Sequence, residues 1–164
     1  GYIDIATQEG AGTTITLFFP VTRAEIEISP TIHIDDYLGN GESILIIDDS
    51  PEQRAIAEKM MRRLGYAVYT AASGEEALSS VKKREYDLLI LDMIMPDGMS
   101  GLETYRRILD LIPDQKAVIA SGYAMGEDVF ETQKLGAGDY IKKPFTLEKI
   151  GLAVRSELDK SAAH

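Results

Sequence analysis

Three short, unbroken apolar runs, Ile44–Ile47, Leu88–Leu91 and Ala117–Ala120, constrain this chain more than any other feature. Four consecutive apolar residues have no polar face to offer water. Each run therefore reads as a strand buried on both faces, as in a parallel sheet covered by helices. Between them lie patterns of helical period: Ala57, Met60, Met61 and Leu64; Ala77, Leu78 and Val81; Leu102, Tyr105, Leu109 and Ile112. Tyr66–Thr70 reads as an edge strand, a helix is expected around 127–135, and 139–141 gives a short strand. A last helix sets Leu147, Ile150, Val154 and Leu158 on one face. This succession of β–α units from Ser43 onward predicts an α/β fold, a doubly wound five-stranded parallel sheet with helices on both faces. Right-handed crossovers leave few topologies.

Residues 1–20, GYIDIATQEGAGTTITLFFP, follow a different pattern. Two stretches of strand character, Tyr2–Thr7 and Thr13–Phe19, flank QEGAG and predict a β-hairpin extension. A lone hairpin is marginal in water, so this one is expected to pack on something: its own neighbouring domain or a second copy. Residues 21–42, with Pro30, Gly39 and Gly41 and no sustained period, read as a linker.

Composition narrows the chemistry. The chain has no cysteine, which excludes disulfides, thiolate metal sites and cysteine nucleophiles and fits a cytoplasmic location. Asp and Glu number 27 against 17 Lys and Arg, and the net charge of −10 disfavours nucleic acid as a partner. No apolar stretch reaches the length of a membrane span, so no membrane contact by this chain is expected.

The ends of the predicted strands carry the polar groups. Leu88–Leu91 runs into Asp92, and Ile44–Ile47 into Asp48 and Asp49. Aspartate is a favoured helix cap, which is the plain reading of each. Better caps stand nearby, however. Ser50 and Gln53 form an S-x-x-Q box with Pro51 at the first helical position, and Ser100 and Glu103 form an S-x-x-E box. The aspartates are thus surplus to capping. They are expected to converge at the C-terminal edge of the sheet, where open α/β folds bind ligands. Three close carboxylates repel unless a cation neutralises them. Oxygen ligands without His or Cys suit Mg2+, with Mn2+ or Ca2+ able to compete. Ser121 and Gly122 follow the strand AVIA, and Lys143 ends the strand GDYIK. Alone, Lys143 is better explained as a salt-bridge partner. Together the set suits phosphoryl transfer: a carboxylate nucleophile, a metal, a hydroxyl and a cation for the phosphoryl oxygens.

IIDDS, LLILDMIMPDGMSGLE, VIASGY and GAGDYIKKPF occur in this order, and residues 43–160 resemble the receiver domain of two-component response regulators. The resemblance implies a flavodoxin-like sheet of strand order 2-1-3-4-5. It implies Asp92 as the phosphoacceptor, taking a phosphoryl group from a phosphohistidine. Asp49 matches the direct Mg2+ ligand, Asp48 a ligand through water, and the Ile94 backbone carbonyl completes the protein ligands. Ser121 and Lys143 match the groups that contact the phosphoryl oxygens, Tyr140 matches the switch aromatic, and the Lys143–Pro144 bond is expected cis. Ile94 and Tyr123, two residues beyond Asp92 and Ser121, are bulky and offer no acid or amide to hold an attacking water. Slow autodephosphorylation is one expectation; side chains that merely point outward are the other.

Residues 1–20 resemble the closing strands of a histidine-kinase ATP-binding domain, and YLGNGESILIIDD resembles the join between kinase and receiver in hybrid sensor kinases. The implied parent is a hybrid histidine kinase. The chain itself is expected to be a phosphoacceptor rather than an enzyme, since the glycine boxes for nucleotide and a phosphodonor histidine are absent. His33 and His164 are expected to face solvent. Expected partners are a kinase dimerisation and phosphodonor domain or a histidine phosphotransfer protein. Phosphorylation is expected to change the face of the fourth helix, fifth strand and fifth helix, with Phe130, Tyr140, Ile150 and Val154 as candidates that core packing explains mostly as well; a dimer through that face or through the hairpin is also expected. A stand-alone response regulator is the nearest rival. An aspartate-nucleophile phosphatase would require D-x-D after the first strand, whereas Asp48 and Asp49 are adjacent.

Overall fold

The computed structural model describes residues 1–21, 33–122 and 126–160, and the chain divides into two compact units, 1–31 and 32–164. The first unit is the antiparallel hairpin of β1 (Tyr2–Gln8) and β2 (Gly12–Phe18), with Tyr2 opposite Phe18 and Gln8 opposite Gly12. Gly10 and Gly12 take positive φ of 77° and 98°, which an L side chain resists, and so turn the chain within QEGAG. All fourteen strand residues are exposed.

In the second unit, β3 (Ser43–Ile47), α1 (Pro51–Arg63), β4 (Ala67–Ala71), α2 (Gly74–Val81) and β5 (Leu88–Asp92) alternate in sequence. They are followed by α3 (Gly101–Leu109), β6 (Ala117–Ser121), α4 (Glu127–Lys134), β7 (Tyr140–Lys142) and α5 (Leu147–Asp159). The sheet is parallel throughout with order β4-β3-β5-β6-β7, which is 2-1-3-4-5 counted within the sheet. Alternate residues of the three central strands feed two cores. Ile44, Ile46, Leu88, Ile90, Val118 and Ala120 meet α1 and α5, while Leu45, Ile47, Leu89, Leu91, Ala117 and Ile119 meet α2, α3 and α4. This two-sided burial is why the runs are unbroken in sequence.

The third helix differs from its periodic pattern. α3 ends at Leu109, and its fully buried positions are Thr104, Tyr105 and Ile108, whereas Leu102 and Ile112 are only partly buried. Ile150 and Val154 are also fully buried, which decides for core packing over an interaction face at these two positions; Phe130, at 51% exposure, is on the surface.

Part of the expected linker is folded. A 3-10 turn, Ile34–Tyr37, buries Tyr37 to 7% exposure, and this ring packs where a Cβ on Gly151 of α5 would lie 2.4 Å from Tyr37 Cδ2. Tyr66 Oη donates to the Tyr37 carbonyl at 3.3 Å, Gly39 N–H donates to the Leu64 carbonyl at 2.7 Å, and Glu42 pairs with Arg155 of α5 at 2.6 Å. Glycine inside a helix costs about 1 kcal/mol relative to alanine; here it makes room for an aromatic ring. Truncating a buried aromatic removes transfer energy and leaves a cavity. Tyr37→Ala is therefore expected to destabilise the second unit by about 3 kcal/mol in urea unfolding. Tyr37→Phe, which keeps the ring, is expected to cost less than about 1.5 kcal/mol.

Candidate functional site

β3, β5 and β6 are parallel neighbours, so their C-terminal ends lie on one edge of the sheet. Asp92 is the last residue of β5 and sits opposite Ala120, one residue before Ser121 at the end of β6. Asp48 follows β3 and is anchored by its N–H, which donates to the Ala71 carbonyl at 3.2 Å. Lys143 follows β7, held to the edge by its own N–H donating to the Ser121 carbonyl at 2.8 Å. The Lys143–Pro144 peptide bond is cis.

These placements bring five of the expected side chains to one place. One carboxylate oxygen from each of Asp48, Asp49 and Asp92 lies within 4.8 Å of the other two. Lys143 Nζ bridges two of them, 2.6 Å from Asp48 Oδ2 and 2.9 Å from Asp92 Oδ2. Ser121 is buried beside this group at the end of β6. Burial pushes the Asp92 carboxyl above the usual carboxylate range; the Lys143 ammonium and the Ile94 N–H, 3.3 Å from Asp92 Oδ1, pull it back, and the Asp48 charge adds a smaller upward push. With Asp48 and Asp92 both nearly buried, removing the ammonium would leave charges without a partner, a change that costs about 3–5 kcal/mol in buried pairs.

One ammonium against three carboxylates leaves the cluster acidic, and its donors are all oxygens. That donor set fits a hard divalent cation. Asp48, Asp49 and Asp92 are the side chains that could hold one.

The capping assignments hold in part. Ser50 Oγ accepts from Gln53 N–H at 3.3 Å, and Ser100 Oγ accepts from Glu103 N–H at 3.2 Å. Asp48 is not wholly surplus, however: its Oδ1 accepts from Ser50 N–H at 2.9 Å, the donor that Gln53 would reach in a complete capping box. Ile94, at 45% exposure, lines the cleft over Asp92 together with Gln53, Gly122, Lys143 and Pro144. Tyr140 is half-buried against the core on the α3–α4 side and lines a groove with Lys142, Lys149 and Leu152. Tyr123 and His164 lie outside the described residues; His33 is exposed.

Sequence reading missed two residues. A Cβ on Gly101 would lie 2.3 Å from the Asp92 carbonyl oxygen and 2.7 Å from Met93 Cα, so the start of α3 abuts the backbone of Asp92 itself. Its only trace is a glycine at a first helical position, where no positive φ is needed. Gln53 was assigned to capping, yet it also lines the cleft.

Among the described residues no helix is long and apolar enough to cross a membrane. The response regulator receiver domain family matches residues 44–155. Sporulation initiation phosphotransferase F of Bacillus subtilis is 34% identical over 117 residues, covering 71% of this chain and 94% of that protein. Sensor kinase CckA of Brucella abortus is 29% identical over 175 residues, covering 98% of this chain but only 18% of that protein. Among solved structures, chemotaxis protein CheY4 of Vibrio cholerae superposes with a TM-score of 0.67 at 27% identity, covering 71% of this chain and 98% of that one. NtrX of Brucella abortus gives 0.69 at 26% identity, covering 73% of this chain and 28% of that one. With two thirds of its length matched to one family and the strand order and acidic edge in place, this chain belongs to the response regulator receiver domain family, the phosphoacceptors of two-component signalling.

Proposed function

We propose that Asp92 takes a phosphoryl group from a phosphohistidine in a two-component phosphorelay. The convergence of Asp48, Asp49 and Asp92 with Lys143 at one sheet edge carries this reading. An Asp92 oxygen bonds to phosphorus as the phosphorus–nitrogen bond of the donor breaks, and the released imidazole takes a proton from water. Asp48, Asp49 and Asp92, with the Ile94 carbonyl, would hold Mg2+, which when bound would supply positive charge to the phosphoryl oxygens. Lys143 and the Ser121 hydroxyl bind those oxygens, Lys143 exchanging part of its contact with Asp92 for the new charge. Preorganised groups of this kind act without reorganising as charge develops.

The phosphoryl group then shifts a conformational population, with Ser121 and Tyr140 as the moving pair and the groove beside Tyr140 as the altered surface. The donor is a kinase phosphodonor domain or a histidine phosphotransfer protein.

Residues 1–20 are, in this reading, the last strands of a kinase ATP-binding domain, 21–42 its connector and 43–160 the receiver of a hybrid kinase. The match to CckA, which runs through hairpin and connector as well as receiver, supports it. The near-complete match to phosphotransferase F favours the second reading, a stand-alone regulator.

Incubation with acetyl phosphate is expected to add one phosphoryl group by intact mass only when Mg2+ is present, and none in Asp92→Asn. An equal gain in Asp92→Asn would reject the assignment of the nucleophile. Because the Ile94 side chain brings no polar atom to the cleft it lines, the aspartyl phosphate is expected to be long-lived. Ile94→Asn and Tyr123→Glu should each hasten its loss about tenfold, a barrier change of about 1.4 kcal/mol. A hydrolysis time course that none of these substitutions alters would contradict that account.

A further inference from the structure

Gln53 occupies the first turn of α1, where glutamine ordinarily returns its side chain to the cap residue's N–H. That donor is already taken: Ser50 N–H donates to Asp48 Oδ1 at 2.9 Å. Gln53 is half-buried and lines the cleft over Asp92, and its carboxamide makes no hydrogen bond among the described residues. Among the described residues, its companions there leave little other polar chemistry. Ile94, Gly122 and Pro144 offer no polar side-chain atom, and Asp92 and Lys143 are paired with each other at 2.9 Å. A carboxamide has one acceptor oxygen and two N–H donors, and carries no charge to repel a phosphoryl group.

We propose that Gln53 holds the water that hydrolyses the aspartyl phosphate, an inference that rests on the phosphoacceptor reading above. The Gln53 carbonyl oxygen accepts one water hydrogen and turns a lone pair of the water toward phosphorus. The water oxygen–phosphorus bond forms as the phosphorus–oxygen bond to Asp92 breaks. Asp92 leaves as the carboxylate, and the water's proton departs with the inorganic phosphate. In a loose, largely dissociative transition state little proton transfer is needed at the moment of attack, so a neutral amide that only orients the water is chemically sufficient. Gln53 thereby sets the residual rate of signal decay in a cleft where Ile94 contributes none.

The test uses the full chain loaded with acetyl phosphate and Mg2+, desalted, and followed by intact mass for decay of the phosphorylated species. Gln53→Leu and Gln53→Ala are both expected to slow decay by about tenfold through loss of positioning. Beryllofluoride, which mimics the phosphoryl group but meets no attacking water, is expected to bind wild type and Gln53→Leu with Kd values within about twofold, since no contact with the phosphoryl group itself is lost. Unchanged decay in both variants overturns the proposal. Slower decay with a matching loss of beryllofluoride affinity also overturns it, making Gln53 a phosphoryl ligand instead. Failure of the wild type to load with either reagent overturns the phosphoacceptor reading together with this one, and is distinct from both other results.

Discussion

The Lys143 ammonium stands between Asp48 and Asp92, and the acidic edge of the sheet depends on that bridge. Carboxylates this close and this buried cannot all remain ionised without compensation. The bridge joins the ends of strands that are not neighbours: β7 lies two strands from β5 and three from β3. Lys143 reaches them because its backbone is bonded to Ser121 on the intervening strand. The charge balance of the site is therefore tied to the register of the sheet. A slip of one residue in β7 would send the ammonium to the opposite face and leave the aspartates unbalanced.

Rigidity on one side of the site is matched by openness on the other. Below Asp92 lie two continuous cores, and Gly101 lets α3 begin against the carbonyl of Asp92 itself. Above it the cleft is walled by loop and helix-end residues with sparse polar chemistry. The platform fixes where a reacting atom can sit, while the wall governs what else can reach it.

Most of the architecture was legible because burial on both faces leaves unbroken apolar runs, and because the caps at Ser50 and Ser100 mark the starts of α1 and α3. The convergence of Asp48, Asp49 and Asp92 was legible for the same reason: parallel strands end on the same side. What escaped depends on distances between elements. Gly101 reads as an ordinary residue until β5 is placed against α3. The capping role of Gln53 follows from spacing alone, and only the bond between Asp48 and Ser50 displaces it. Ile150 and Val154 share their period with an exposed face, but α5 lies deep enough against the sheet to hide them. The segment 33–42 has no hydrophobic period because one ring, Tyr37, carries its packing.

That ring has a consequence for how such chains recombine. The segment that joins receiver to upstream sequence is keyed into α5 by a matched aromatic and glycine, reinforced by Glu42 and Arg155. A chimera cut at the first sheet strand would inherit a hole over Gly151 and an arginine stripped of one carboxylate. The transplantable module is thus longer at its front than its sheet, and grafts that respect it begin near His33 rather than at Ser43.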